Sequence, residues 1–248
     1  MSTDVLALGD DALIAAQRLA EWCSRGPDLE EDIALTNIAL DQLGAARLLL
    51  GLAGSREQPA RTEDELAFLR TDREFRNCLM VELPNGDFAV TMAKLLFLAA
   101  YQKPLYEELA AASSDDPELA AIAAKAVKES AYHLDHAALW TVRLGDGTDE
   151  SARRMAEGLD WCWRFVPELF EVDETLQAAM DDGIAPDTRE LEDEYRSAIA
   201  AVLAEAQLEA PTDQRPILGG RRGHHSEHLG HLLAVMQFLP RTYPDATW

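Results

Sequence analysis

The residues Glu129-Ser130-Ala131-Tyr132-His133 sit inside a long stretch of helical periodicity and nearly spell a metal-binding turn. In helical bundles that hold two irons, two helices each give a Glu and two others each give Glu-x-x-His. Residues i and i+3 leave one helix face toward the same metal pair. Here Tyr132 stands where that spacing requires the histidine. His133 or His136 could partly replace it, since i and i+4 also share a face, or each could be an ordinary hydrogen-bonded or solvated flank histidine. The chemistry in question is oxygen activation, and it turns on how many donors remain.

The elements that must position these residues can be read from apolar spacing and breakers. Leu8, Leu13, Ala16, Leu19 and Cys23 recur at helical spacing up to about Arg25, where Gly26-Pro27 breaks the pattern and Asp28 is placed to cap the next helix. That second helix runs from Leu29 to about Leu52 and ends in Gly51 to Gly54, so the two form an antiparallel hairpin. A polar segment from Arg56 to Asp72 and a short helical stretch follow. Pro84-Asn85-Gly86-Asp87 then opens a third long helix to Leu109. Ser113-Ser114-Asp115-Asp116-Pro117 is a turn, and a fourth helix covers about Glu118 to Leu144. Further helices are expected over Glu150 to Asp173, Thr188 to Glu209 and Ser226 to Leu239, the last stopping before Pro240, with a loop from Pro211 to Gly223. No period-two run long enough for a sheet occurs, so the expected fold is all-α: one domain over residues 1–248, with four long core helices in two hairpins and flanking helices.

On that frame the donors are few. If the second hairpin centres near Ser114, Glu129 lies opposite Phe97 to Tyr101, where Ala99 and Ala100 stand and no acid occurs between Asp87 and Glu107. If the first hairpin centres near Gly26, Asp41 lies opposite Asp11, and Asp41-Gln42-Leu43-Gly44 stands where Glu-x-x-His is needed, with Gly44 at the histidine position. At most three carboxylates and neither motif histidine remain, too few for two irons with open positions. Lys94, in an apolar stretch of the third helix, is a candidate replacement for the lost cation beside Asp41 and Glu129, or else extends to a surface; Lys125 is i−4 to Glu129.

Composition excludes other classes. Of 248 residues, 45 are Asp or Glu and 22 are Lys or Arg, a formal charge of −23 that repels nucleic acid and anionic membrane surfaces. No apolar segment is expected to approach the roughly 20 residues of a membrane span, and a cytoplasmic location is expected. Cys23, Cys78 and Cys162 lack a C-x-x-C pair and read as free thiols. No Walker loop, nucleophile elbow or dinucleotide fingerprint occurs. Arg221 and Arg222, in Gly219 to His225, form a basic island that could meet a CoA phosphate or an acidic partner face, or simply be a solvated turn. His224, His228 and His231 have spacings compatible with a surface metal but also with capping. Trp140, Trp161, Trp163, Phe165 and Phe170 read as core, some as partner anchors.

Leu8-Gly9-Asp10, Gln17-Arg18-Leu19, Glu21-Trp22-Cys23, Pro84-Asn85-Gly86, Lys128-Glu129, Tyr132-His133-Leu134, Gly147-Thr148-Asp149 and Glu227-His228-Leu229-Gly230, in this order and spacing over nearly the whole chain, resemble the C subunits of bacterial phenylacetyl-coenzyme A ring-1,2-epoxidases. The resemblance implies a ferritin-like bundle without iron, the structural partner of a homologous catalytic di-iron A subunit. That partner takes electrons from a reductase to epoxidise the aromatic ring in aerobic phenylacetate degradation, and a small B subunit helps assembly. It therefore implies no catalytic residue and no cofactor in this chain, with iron in the partner. Two other classes fit the residues less well: a free metalloenzyme using Asp11, Asp41, Glu129 and His133, and a self-associating iron-storage protein.

Overall fold

A computed structural model describes residues 2–112, 116–172, 174–181, 186–212, 214–244 and 246. Among them lie eleven α-helices and no strand: α1 (Ser2–Ala20), α2 (Leu29–Ser55), α3 (Glu63–Phe68), α4 (Leu79–Glu82), α5 (Phe88–Ala111), α6 (Pro117–Gly145), α7 (Asp149–Trp163), α8 (Glu174–Asp181), α9 (Glu192–Glu205), α10 (Glu227–Met236) and α11 (Phe238–Thr242). The all-α class is thus the one the sequence predicts. The chain divides into two compact units, Met1–Pro84 with Leu218–Trp248, and Asn85–Ile217.

The first unit is built on the α1–α2 hairpin. After Ala20 the N–H groups of Glu21, Trp22 and Cys23 bond to carbonyls three residues back, so α1 gives way to tighter 3-10 turns before the expected end at Arg25. Those turns rise about 2.0 Å per residue instead of 1.5 Å, and the chain then runs without helix to Leu29. Asp28 caps α2 by accepting from the Glu31 N–H at 2.9 Å. Gly9 packs against Leu49 and Leu50, so close that a Cβ there would sit 2.8 Å from Leu50 Cδ2.

Gly51 and Gly54 do not end α2 as expected; both lie inside it. Gly54 is a site of close approach, where a Cβ would stand 2.0 Å from the Arg61 carbonyl oxygen and Gly54 O accepts from Glu57 and Arg61 N–H. The segment expected to be merely polar holds α3, begun by a Thr62–Glu65 capping box too short to show periodicity. The final helix is two, parted at Gln237, and Pro240 lies inside α11. Its missing N–H is harmless because it falls in that helix's first turn.

The second unit centres on the α5–α6 hairpin. Asp87 caps α5 through the Val90 N–H at 3.0 Å, and Asp116 caps α6 through Leu119 at 3.1 Å, with Pro117 in the first turn. Of the turn expected over Ser113 to Pro117, residues 113–115 lie outside the described residues. The rings of Phe88 and Trp140 meet edge to face at 5.0 Å, a pair whose midpoint is position 114, as the expected register requires. The helix expected from Glu150 to Asp173 stops at Trp163 and becomes a 3-10 turn over Val166–Phe170, since Pro167 cannot continue the ladder. Residue 173 itself lies outside the described residues. Phe97–Trp163, Tyr101–Phe170 and Phe170–Tyr195 ring contacts join these elements and α9, so the flagged Trp163 and Phe170, like Trp140 against Phe88, serve this unit's own packing.

The two α2 glycines give opposite expectations. Gly51→Ala should stabilise the chain by about 0.5–1 kcal/mol through helix propensity, because nothing lies within 4 Å of its Cβ position. Gly54→Ala should destabilise it by roughly 2 kcal/mol or more, because the clash is with backbone. Urea denaturation of both variants measures the difference.

Candidate functional site

In the second unit the expected ligand turn is rotated. The buried face of α6 carries Ala126, Ser130, His133 and Ala137, so His133 is enclosed while Tyr132 is half exposed to solvent. Glu129 lies on the flank and its carboxylate is held by Lys125 one turn back. Ser130 donates to Ala126 O at 2.8 Å. Facing α6 across the hairpin, Ala99 and Ala100 are buried and offer no donor. Lys94 is buried, and its Nζ donates to Asn85 Oδ1 at 3.2 Å, so the cation found on Glu129 is Lys125. Burial pushes the nearby Cys162 thiol up to about 12, against the opposing charge of Lys94.

In the first unit the register differs from the expected one. Gly9 meeting Leu49 centres the hairpin near position 29 rather than 26, because α1 ends at Ala20 and α2 starts only at Leu29, and the segment between them spans the difference instead of a tight turn at Gly26. Asp41 is therefore level with Gln17, and Asp11 stands about six residues, or roughly 9 Å, further along the axis. Asp41 and Gly44 are half-buried on α2. Asp11 is buried and already committed: one oxygen accepts from the Cys78 N–H at 2.7 Å and the other from Arg221 Nη2 at 2.7 Å. Arg221 also donates to Arg76 O at 3.0 Å, which removes it from the candidates for a CoA phosphate or a partner face. Arg222 is exposed. Among the described residues no three His, Cys, Asp or Glu side chains converge as a metal-ligand set, and that includes His224, His228 and His231.

The site that sequence reasoning missed is a buried charge network around Asp11. Asp10, fully buried, forms an ion pair with Arg70, whose Nη1 lies 2.9 Å from Oδ2, and also accepts from the Arg76 N–H at 2.8 Å. Burial raises the Asp10 carboxyl above its ordinary value, and Arg70 pulls against that. The Arg70 guanidinium stacks on Phe75, 4.1 Å from the ring centroid. Glu82, also fully buried, accepts from Asn77 Nδ2 at 2.9 Å, from the Ser226 N–H at 2.6 Å and from His225 Nδ1 at 2.7 Å. His225 Nε2 faces Phe75 O at 3.0 Å, so the ring fills both contacts as a donor only when doubly protonated. Arg18 closes the arrangement by donating to Glu82 O at 2.7 Å and His228 O at 3.2 Å. One signal was available: two consecutive acids among Leu6, Ala12, Leu13 and Ile14 must find cations. Their partners are 60 and 210 residues away, where no local pattern points.

This all-α architecture and its helix order belong to a defined class. The chain is a member of the family described as phenylacetic acid catabolic protein, whose profile matches residues 2–248. It is 46% identical over 243 residues, 98% of this chain and 97% of the relative, to the C subunit of the 1,2-phenylacetyl-CoA epoxidase of Escherichia coli (strain K12).

Arg221→Ala leaves Asp11 as an uncompensated buried charge and should destabilise the chain by about 3 kcal/mol or more in urea denaturation. Thiol titration with a coloured disulfide should find one fast group, Cys23, in the native chain and three after denaturation, since Cys78 and Cys162 are buried.

Proposed function

We propose that this chain is the structural subunit of a phenylacetyl-CoA epoxidase, with a degenerate di-iron position, holding and supporting a catalytic di-iron A subunit in aerobic phenylacetate breakdown. The assembly is completed by a small B subunit, and a reductase supplies electrons to it. The chain itself carries no catalytic centre and no iron, and it works in the cytoplasm, away from nucleic acid and membrane. The observation that carries this reading is the fate of the would-be ligands: Glu129 is spent on Lys125, Asp11 on Arg221 and the Cys78 N–H, and the position facing Glu129 is Ala99. Such side chains do not fit a pair of irons, which needs carboxylates and imidazoles free to coordinate. The similarity to an epoxidase C subunit over almost the full length of both chains supports the assignment of pathway.

α2 is longer and more apolar than the sequence suggested and is by length and composition able to cross a membrane. Its buried residues Leu35, Ile38, Ala45 and Leu49 pack in the first unit, as those of a core helix do.

The test is elemental analysis of the isolated chain after expression in iron-replete medium, together with co-purification from cells that also express a di-iron subunit of the same family. Iron well below one equivalent per chain with stable co-purification is expected. One or two equivalents, or turnover of phenylacetyl-CoA by this chain with reductase alone, would overturn the proposal.

A further inference from the structure

His225 joins two parts of the first unit that lie 143 residues apart in the chain. Its side chain is 2% exposed and that of Glu82 is fully buried, with Nδ1 2.7 Å from Glu82 Oε2 and Nε2 3.0 Å from Phe75 O. A peptide carbonyl has no hydrogen to give, and Glu82, which also accepts from the Ser226 N–H and Asn77 Nδ2, is engaged as a carboxylate. A neutral imidazole carries one N–H, so one of its nitrogens would set a lone pair against an oxygen lone pair in a buried place. The turn that presents the ring is fixed by its backbone. The Arg222 and His224 N–H groups both bond to Gly219 O at 2.9 Å, and Gly223 has a φ of +74°, in the left-handed region. Its residues, Gly219-Gly220-Arg221-Arg222-Gly223-His224-His225-Ser226, bring little apolar surface, and it lies so close that a Cβ on Gly220 would stand 2.2 Å from Asn77 O.

We propose that His225 is held as an imidazolium at neutral pH, and that this one proton latches the turn from Gly219 to Ser226 onto the chain from Phe75 to Glu82. On the α4 side the Glu82 carboxylate touches the ring. On the segment before α4, Arg76 Nη1 takes one lone pair of Phe75 O at 2.7 Å and leaves the other for Nε2–H, while Glu74 is turned to Thr71. On α1, Arg18 donates to the backbone carbonyls of Glu82 and His228, and Asp10 and Asp11 are answered by Arg70 and Arg221. On the α10 side His224 and Glu227 are exposed and His228 is half-buried. Arg18 and Arg76 therefore oppose a charge on the ring, but both act through carbonyls, whereas Glu82 is in direct contact and outweighs them. Above about pH 6.5, the ordinary histidine value, the unfolded chain has lost this proton and the folded chain keeps it. The folded state then binds more protons, so its stability falls as pH rises, by up to tenfold in the unfolding equilibrium constant per pH unit, until the folded chain loses the proton too. Below that value both states hold the proton and the stabilisation is fully present. Once the proton is lost, a lone pair faces Glu82 or Phe75 O and the turn lets go.

Nitrogen NMR of the full chain labelled at histidine tests the charge directly, with His225→Gln to assign the signals. At about pH 7.5, a unit above the ordinary histidine value, both ring nitrogens of His225 are expected to carry hydrogen, and a neutral ring there would overturn the proposal. Glu82→Gln tests the latch. Its amide can give one hydrogen to Nδ1 of a neutral ring and the other to Asn77 Oδ1, which is buried without a partner, while its oxygen still accepts from the Ser226 N–H. Urea denaturation of wild type and Glu82→Gln from about pH 6 to 9 should therefore show the wild type losing stability relative to the variant as pH rises. Amide exchange at Arg222, Gly223 and His224, corrected for its intrinsic rise with pH, should quicken over the same range in the wild type and not in Glu82→Gln. Parallel pH dependence in the two chains, or turn amides whose protection is unchanged across the range, would sink the latch.

Discussion

Asp10 and Asp11 are consecutive carboxylates on a helix whose neighbouring side chains are apolar and buried, and most of the first unit follows from their need for partners. A carboxylate taken out of water without compensation costs several kcal/mol, so each must find a cation or backbone donors inside the fold. Consecutive residues point about 100° apart on a helix, and two separate partners are required. Arg70 answers Asp10, bringing the segment after α3 onto α1; Arg221 answers Asp11, bringing the chain that precedes α10. Around these pairs the backbone is drawn in, with the Arg76 and Cys78 N–H groups aimed at the two carboxylates. Glu82 with His225 then repeats the device one step further along.

The same commitment bears on chemistry. A carboxylate that accepts from a guanidinium and an amide has little left to offer a metal, so charge burial and metal binding compete for Asp11. Glu129 resolves the competition locally, through a lysine one helical turn away on its own helix. What remains at these positions is hydrogen bonding and packing.

The helix order was legible because caps and breakers are local: Asp28, Asp87, Asp116 and Pro117 each act where the sequence placed them. The register of α5 against α6 was also readable, since a short turn fixes it, as the Phe88–Trp140 contact shows. The register of α1 against α2 was not, because the hairpin is joined by the long non-helical segment between Ala20 and Leu29 rather than by a tight turn at Gly26-Pro27. Orientation on α6 failed for a related reason: a Glu-x-x-Tyr spacing says which residues share a face, but not which face turns inward. Short elements such as α3 and α8 are below the length at which periodicity means anything. The partners of Asp10 and Asp11, distant in the chain, leave no trace in local spacing.

The division of the chain has a consequence for its synthesis. The first unit is discontinuous, with residues 85–217 lying between its two parts. On a ribosome, Asp11, Glu82 and the α1–α2 hairpin emerge early, while Arg221 and His225 arrive only after all of that intervening stretch has been made. At roughly 5–20 residues per second, this leaves two buried carboxylates waiting on the order of ten seconds for these partners. The second unit, continuous in the chain, has no such delay. A chain truncated before position 221 leaves Asp11 without its guanidinium and Glu82 without the His225 ring and the Ser226 N–H.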